Sequence, residues 1–541
     1  NGLQKWQSKI SGTHGGNAYF INFTGVKSDG FREHAAARST SLNAIGKHTI
    51  SGQVRLTTVL NYFNAPYLLN PSSLSKTDAQ NSPEMARFFV KQQGAGKKVH
   101  QGQGGVTVSY SDGKTNRFQA TVYGVWRSLF NPIPGRIIDL NRAAWGIRTV
   151  FSQSFQTNNL NIYWKIGADY EAQKDKRQEF KNNGIKADRL DELVHRERLD
   201  AVQIGSHLLD QKEMISGIGP FAELEIALHT TWILTLGGRY DHYAFRVQDT
   251  FLQDGADDSG RRTMHQFSPA VGFAFRPHPL RTFYFNYGTA FQTPTTTELG
   301  NRTTGAGGFN PDLQPENINN LEFGIKGRWP KLRFDYEAAI YLLKIKNMLI
   351  PFQVQDTASE EIFFRNAGKA QNKGVELRLT AEIFAGLNAT FAYTYMDFIF
   401  KNFIVETEIG EAKALVQLAG NKVPAVPPHK LYAGVVYEHK SGLFAEINLD
   451  WTDRYFANDS NGPAPGNIQS RKDFLNDSFT QVEMRIGFRR DDSGKGAGIF
   501  FGIDNILDKR YNGSIVPNAF GARFFEPAPG RTWYVGVSAD F

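Results

Sequence analysis

The feature that most narrows what this chain can fold into is a two-residue alternation of apolar and polar side chains, sustained over long segments and repeated many times. Between Leu387 and Tyr395, Leu387, Ala389, Phe391, Tyr393 and Tyr395 fall on one face of an extended chain. Asn388, Thr390, Ala392 and Thr394 fall on the other. The final segment does the same, with Trp533, Val535, Val537, Ala539 and Phe541 against Thr532, Tyr534, Gly536, Ser538 and Asp540. Trp232, Leu234, Leu236 and Tyr240 likewise oppose Thr235, Gly237, Arg239 and Asp241. Successive side chains of a strand point to opposite sides, so each segment reads as a strand between an apolar medium and a polar one.

Segment length decides which apolar medium that is. Strands of soluble sandwiches usually run about 5 or 6 residues. The alternating segments here are two to three times longer, as in Ile50 to Asn64 and Leu332 to Met348. A bilayer needs about 9 to 11 residues of tilted strand, and a closed wall leaves no backbone edge in lipid. The expected fold is therefore all-β, a transmembrane antiparallel β-barrel. Leu387, Phe391, Tyr393, Trp533, Val535 and Phe541 should face outward.

Composition agrees, with 42 Phe, 20 Tyr and 52 Gly but only 40% hydrophobic residues. That combination suits a wall in which only alternate residues meet lipid. No apolar run approaches the roughly 18 to 20 residues of a membrane-spanning helix; Ile226 to Leu236 is broken by His229, Thr230 and Thr231. Asn1 to Trp6 has no apolar signal core, as expected of a mature chain or a piece of one. The absence of cysteine excludes disulfides, thiolate metal sites and cysteine nucleophiles. The net charge of +8 is scattered among strand ends and loops, which argues against nucleic acid and leaves anionic lipid or a small anionic ligand.

Short and long connections alternate. Short turns fall at Ser111 to Lys114, Arg276 to Pro279, His439 to Gly442 and Asp491 to Gly494. Long polar stretches run from Ala65 to Gln101, Gln173 to Gly217, Val247 to Met264, Phe291 to Asn317, Phe400 to Lys430 and Tyr455 to Asp477, with a short helix expected at Asp188 to Arg198. Bacterial barrels put short turns in the periplasm and long loops outside. Counting back from Phe541 gives about 21 strands, with the turn Thr13 to Gly16 periplasmic. Bacterial single-chain barrels have an even number, so a strand before Asn1 is expected in addition.

Several motifs carry a resemblance. Asp504-Asn505-Ile506-Leu507-Asp508-Lys509-Arg510-Tyr511 is followed by Pro527-Ala528-Pro529-Gly530-Arg531 and a strand ending in Phe541. Phe291-Gln292-Thr293-Pro294 precedes Asn310-Pro311-Asp312-Leu313-Gln314-Pro315-Glu316 and Glu322-Phe323-Gly324. Asn366-Ala367-Gly368 precedes Gly374-Val375-Glu376; Phe267 to Ala270 and Asn421 to Pro424 with Pro427-Pro428-His429 complete the set. Together they resemble the barrel of TonB-dependent outer-membrane receptors over nearly all of residues 1–541. Asp29-Gly30-Phe31-Arg32, Pro71 to Leu74 and Pro83 to Ala86 loosely resemble the ferric-dicitrate and pyrroloquinoline-quinone branch. The resemblance implies a barrel of the 22-stranded type preceded by a plug domain, so that the plug and first strand lie outside this chain.

Each motif also has a structural reading. Asn505 and Asp508 should hydrogen-bond backbone where strand meets loop, and Pro311, Pro315, Pro527 and Pro529 should fix loop geometry. Glu322 and Glu376 should lie on lumen faces and pair with Arg or Lys across the wall.

By resemblance the function is TonB-energised import of a scarce small nutrient, a ferric chelate of siderophore or citrate type or else an anionic cofactor such as a quinone. The partners implied are the plug, the inner-membrane TonB complex, outer-membrane lipid with lipopolysaccharide, and the small ligand, in a Gram-negative cell outer membrane. The alternative is a passive porin-like or adhesin barrel. The bases of Lys174 to Arg189, with Arg302, Arg471 and Arg523, suit carboxylates or phosphates, and Tyr511 and Phe520 could stack on a flat ligand. The candidate ligand-binding set is Arg177, Lys181, Arg189, Arg302, Arg471, Tyr511, Phe520 and Arg523. The 12 His show no nucleophile-elbow or metal-pair spacing, so no catalytic residue, resident metal or bound cofactor is expected.

Overall fold

The computed structural model describes residues 2–354, 361–409, 412–463, 469–492 and 495–540. Its wall is one antiparallel sheet of 21 strands in a continuous meander, each paired to the next in the chain. The first twelve are β1 (Gln4–His14), β2 (Asn17–Ser28), β3 (Ala37–Thr49), β4 (Val54–Leu69), β5 (Gly96–Ser111), β6 (Asn116–Ile133), β7 (Arg136–Gln156), β8 (Leu160–Asn182), β9 (Ile204–Leu228), β10 (Trp232–Asp249), β11 (Gly260–His278) and β12 (Arg281–Gln292). The rest are β13 (Glu316–Trp329), β14 (Phe334–Phe352), β15 (Phe363–Phe384), β16 (Leu387–Asn402), β17 (His429–Glu438), β18 (Leu443–Thr452), β19 (Phe479–Asp492), β20 (Lys495–Asp504) and β21 (Thr532–Asp540). The odd strand count matches the sequence parity.

Register confirms the two faces. Leu377 pairs with Tyr393 and Leu379 with Phe391, whereas Glu376 pairs with Thr394 and Arg378 with Ala392. On β21, Trp533 and Val535 stand 59% and 65% exposed on the apolar face. Phe541 lies outside the described residues. The opposite face carries the polar set and lines the lumen. Among the described residues no helix is long and apolar enough to cross a membrane.

The long connections all lie at one end and the other end carries only short turns; one tight turn, Pro134-Gly135 between β6 and β7, sits among the long loops. The loop end contains helices α1 (Lys76–Asn81), α2 (Phe88–Gln92), α3 (Arg196–Asp200) and α4 (Thr296–Gly300), together with small hairpins such as Ile404–Ile409 with Ala412–Gln417. The expected helix at Asp188 to Arg198 is replaced by a 3-10 turn, Ala187–Arg189, followed by α3.

The stretch Gln173 to Gly217 requires a correction. It is not one loop, because β8 runs on to Asn182 and β9 begins at Ile204. These extensions stand beyond the membrane, where neither face needs to be apolar, so charge alone does not distinguish them from a loop.

The sheet curls until its two ends meet through their loops. Leu74 and Phe525, both fully buried, form an isolated antiparallel bridge. Ser73 Oγ donates to the Arg523 carbonyl at 2.5 Å, and Lys76 Nζ reaches Asp477 at 3.0 Å. Ala79, Ala457, Phe474 and Phe524 close the same apolar cluster. Burying Leu74 and Phe525 contributes about 1.5 to 3 kcal/mol each, enough to hold first-strand loops on last-strand loops. Both β1 and β21 run from the loop end to the turn end, so they cannot pair antiparallel with each other.

Candidate functional site

The loop end is organised by the β12–β13 connection, residues 293–315. It opens with α4, whose cap is reciprocal: Glu298 N donates to Thr295 Oγ1 and Thr295 N to Glu298 Oε2. The loop folds inward across the lumen faces of β7 to β9 rather than out into solvent. Leu299 and Leu313 pack with Phe245 and Met264, all nearly fully buried. Arg262 donates to the carbonyls of Asn310 and Leu313 at 2.5 and 2.6 Å.

Beneath α4 lies a buried charge network. Arg142 grips Asp175 with two bonds, 2.9 and 2.7 Å, and reaches Thr296 Oγ1 at 3.4 Å. Arg177 donates to Glu179 at 2.7 Å and to Asn301 Oδ1 at 2.6 Å, with Glu213 at 3.9 Å. Arg136 completes the cover of Glu179 and lies 3.5 Å from Glu361. Gln211 accepts from Gly308 N and Asp258 from Gly307 N, with Arg302 at 3.7 Å from Asp258. A Cβ on Gly300 would come within 2.7 Å of Arg177 Nη1, so any side chain there would displace the guanidinium from its network.

The sequence motifs meet in this frame. Gln314 N donates to Asn366 Oδ1 at 2.7 Å, while Asn366 Nδ2 donates back to Gln314 O and to Asn347 O. Asn505 brackets Lys509 with two bonds and Asp508 accepts from Arg531 N at 2.9 Å, so both act on backbone. Glu322 and Glu376 do lie on the lumen face but do not pair as expected. With Glu337, Arg276, Lys326 and Arg378 they line a cavity of about 710 Å³, and no ion pair among the described residues reaches Glu322 or Glu376. The cavity holds these charges apart in open solvent-sized space.

The eight candidate ligand residues fall into separate groups. Arg177 is 2% exposed and enclosed in the network. Arg302 is half-buried, bonding Gly307 O at 2.7 Å. Lys181 and Arg189 are exposed on the β8 tip and the loop after it. The other four share the loops of the last strands. Arg471 lies 4.9 Å over the Phe456 ring, Arg523 lies 5.6 Å over Phe520, and Tyr511 stacks on Phe479 at 4.6 Å. Tyr511 also lines a cavity of about 300 Å³ with Phe31, Lys76, Asn476 and Arg510.

Sequence reasoning missed the histidine that ties three loops together. His34 Nε2 donates to Ala95 O at 2.8 Å, so its Nδ1, 3.2 Å from Arg198 Nη1, is the acceptor. Burial, with Arg198 and Lys91 adding to it, pushes this imidazole down to about 4. Elsewhere at this end, burial pushes the Asp459 carboxyl up, with Arg365 pulling it back from 3.2 Å. A second signal lies in the sequence: below the bulge at Glu179, the β8 bases Lys165 and Arg177 enter the lumen side and Lys174 and Lys176 do not.

Residues 36–506 match the family described as TonB dependent receptor-like, beta-barrel. The chain belongs to the TonB-dependent receptor family. Barrels of this family are outer-membrane proteins, which accounts for the apolar outer face. The metal-pseudopaline receptor CntO of Pseudomonas aeruginosa is 22% identical over 289 residues, 53% of this chain and 36% of that protein. The ferrioxamine receptor of Yersinia enterocolitica is 23% identical over 293 residues, 54% of this chain and 36% of that protein. The matched region thus spans about a third of these relatives. Among solved structures, the unliganded ferric citrate transporter FecA superposes with a TM-score of 0.77 at 17% identity, covering 100% of this chain and 76% of that one. The siderophore receptor PiuA from Acinetobacter baumannii gives 0.77 at 16% identity, covering 100% and 79%. At such identity these two establish the barrel fold. The family and fold are those of transport receptors.

Proposed function

We propose that this chain is the barrel of a receptor importing a scarce anionic nutrient, a ferric chelate carrying carboxylates, energised through TonB. The observation that carries the reading is the match of residues 36–506 to the receptor barrel family, joined to a mouth built from Arg and aromatic side chains. Lys181, Arg189, Arg471 and Arg523 supply donors to an anionic ligand, and Tyr511 and Phe520 supply flat apolar surface. Arg177 and Arg302 act through the inward loop that they hold. The relatives support a metal chelate as cargo in general: one is a metal-pseudopaline receptor, another a ferrioxamine receptor.

The reading includes an upstream plug and one further strand. Edges β1 and β21 run the same way, and each unsatisfied backbone group in lipid costs several kcal/mol. One strand running the opposite way between them satisfies both. The plug would fill the polar lumen and transmit the pull of TonB. The test is growth of a deletion strain under iron starvation on a panel of ferric chelates, with radio-iron uptake for any that fails. Loss of one chelate, restored by the gene but not by a charge-reversed Arg471/Arg523 variant, is the expected result. Undiminished uptake of every chelate would refute the ligand class.

A further inference from the structure

β4 leaves the turn Ser51-Gly52-Gln53, and the alternation that turns Leu60 to lipid turns Arg55 into the lumen. Register carries that face across the neighbouring strands. Arg55 pairs with Ser109, and Ser109 with Gln119. One row nearer the turns, Ser111 pairs with Arg117, and Arg117 with Ser152. Arg55 and Arg117 therefore flank β5 at the turn end, with only serine side chains between them. At about 4.8 Å per strand and about 3.3 Å per residue, their Cα atoms stand about 12 Å apart. Two long side chains can close over that gap on one small ligand.

These residues, with Gln119 and Tyr163, line a cavity of about 370 Å³ to which no carboxylate contributes. Among the described residues neither guanidinium is ion-paired, and the side chains of Ser109, Ser152, Gln119 and Tyr163 carry no hydrogen bond. The acids nearby are engaged or set back. Asp112 of the adjoining turn accepts from Lys114 N, Asn116 N and Asn116 Nδ2 at 2.8, 3.0 and 2.7 Å. Next along the row of Arg117, Lys165 holds Glu223 at 2.8 Å, and Glu225 lies beyond Tyr163 on β9. The cavity of about 710 Å³ on β11 to β16 is different, since Glu322, Glu337 and Glu376 stand there against Arg276, Lys326 and Arg378. Acid and base balance on that wall, whereas the recess on β4 to β8 is basic alone. An anion low in the lumen is drawn to one sector.

We propose that Arg55 and Arg117 form an anion-binding station at the turn end of the lumen, which takes a small polycarboxylate on its way out to the periplasm. A guanidinium grips a carboxylate with two parallel N–H donors, and two such grips on either side of β5 suit an anion with two or more carboxylates. Ser109, Ser152 and Gln119 add neutral donors. The place of this station on the import path rests on the proposed anionic cargo; the recess itself requires only the wall.

The test is equilibrium dialysis of radiolabelled citrate against the receptor isolated from outer membranes in detergent. The variants are R55Q/R117Q, the charge-keeping R55K/R117K and the mouth variant R471E/R523E. The heat-dependent shift in gel mobility first establishes that each is folded. R471E/R523E should still bind citrate, and adding R55Q/R117Q to it should weaken the remaining binding about tenfold or more, with R55K/R117K in between. In cells, the ferric chelate identified by the deletion panel should bind R55Q/R117Q as tightly as wild type but enter several-fold more slowly. Citrate binding indifferent to both arginines, or wild-type uptake rates in folded R55Q/R117Q, would overturn the station. A mouth variant that binds and imports as wild type does would instead refute the mouth, and the isotherms of the R55Q/R117Q pair would still decide the recess.

Discussion

Substituting Arg177 by Met removes the cation between two carboxylates while leaving a stem of similar length. The network then holds Glu179 covered by Arg136, and Glu213 with only the neutral donors Gln211, at 2.8 Å, and Thr296. Breaking a buried pair by deleting one member costs about 3 to 5 kcal/mol, because the surviving charge is left in a poorly solvated place. The bond from Arg177 to Asn301 disappears with it, and that bond ties the inward loop to the wall. The strain therefore falls on residues 293–315 rather than on the wall ladders, which make none of these contacts. At 1.4 kcal/mol per factor of ten, a loss of 3 kcal/mol raises the open fraction of the loop by about two orders of magnitude.

Amide exchange of the full chain in detergent reads this directly. Protection at Leu299, Asn301, Gly307, Gly308 and Asn310, whose N–H groups are bonded within or beneath the loop, should fall by about a hundredfold. Protection on β12 and β13 should stay unchanged. The double variant R177M/E213Q removes the orphaned charge and should recover most of the loss. Equal protection in wild type and R177M would refute the reasoning, and so would R177M/E213Q behaving no better than R177M.

His34 gives a pH signature: its folded pKa of about 4 lies below the ordinary 6.5, so the packed loops favour the neutral ring. Their stability is complete above pH 6.5 and declines as pH falls to about 4, by roughly 3 kcal/mol in all at about 1.4 kcal/mol per unit. A spin label on Phe88→Cys, the sole thiol in a cysteine-free chain, should gain mobility over that window, and H34Q should abolish the dependence. Gly300→Ala forces Arg177 to move and should lower loop protection by about tenfold, measured by the same exchange experiment. Charge reversal at Lys181 and Arg189 should weaken chelate uptake most at low salt, where exposed charges are least screened, and uptake equal to wild type at every ionic strength would remove both from the site.

The wall was legible because one physical rule, an apolar face in lipid and a polar face in the lumen, writes itself into every second residue. Leu387 to Tyr395 and Trp533 to Ala539 show it without any knowledge of partners. The rule stops at the membrane surface. Above Tyr170 the strand β8 has no apolar obligation on either side, and its Lys174-Asp175-Lys176-Arg177-Gln178-Glu179 reads as a solvated loop. The inner three of these residues are nonetheless among the most buried polar groups of the described chain. What buries them is Thr296 and Asn301, more than a hundred residues away, and no local pattern encodes that return. The basic stretch that looked like one ligand surface is therefore two surfaces, since a wall one residue thick gives adjacent side chains opposite surroundings. Arg177 compensates carboxylates in the lumen while Lys176 faces outward beside Lys212, near Asp139 of the neighbouring strand. Reading charge by parity rather than by density separates the two.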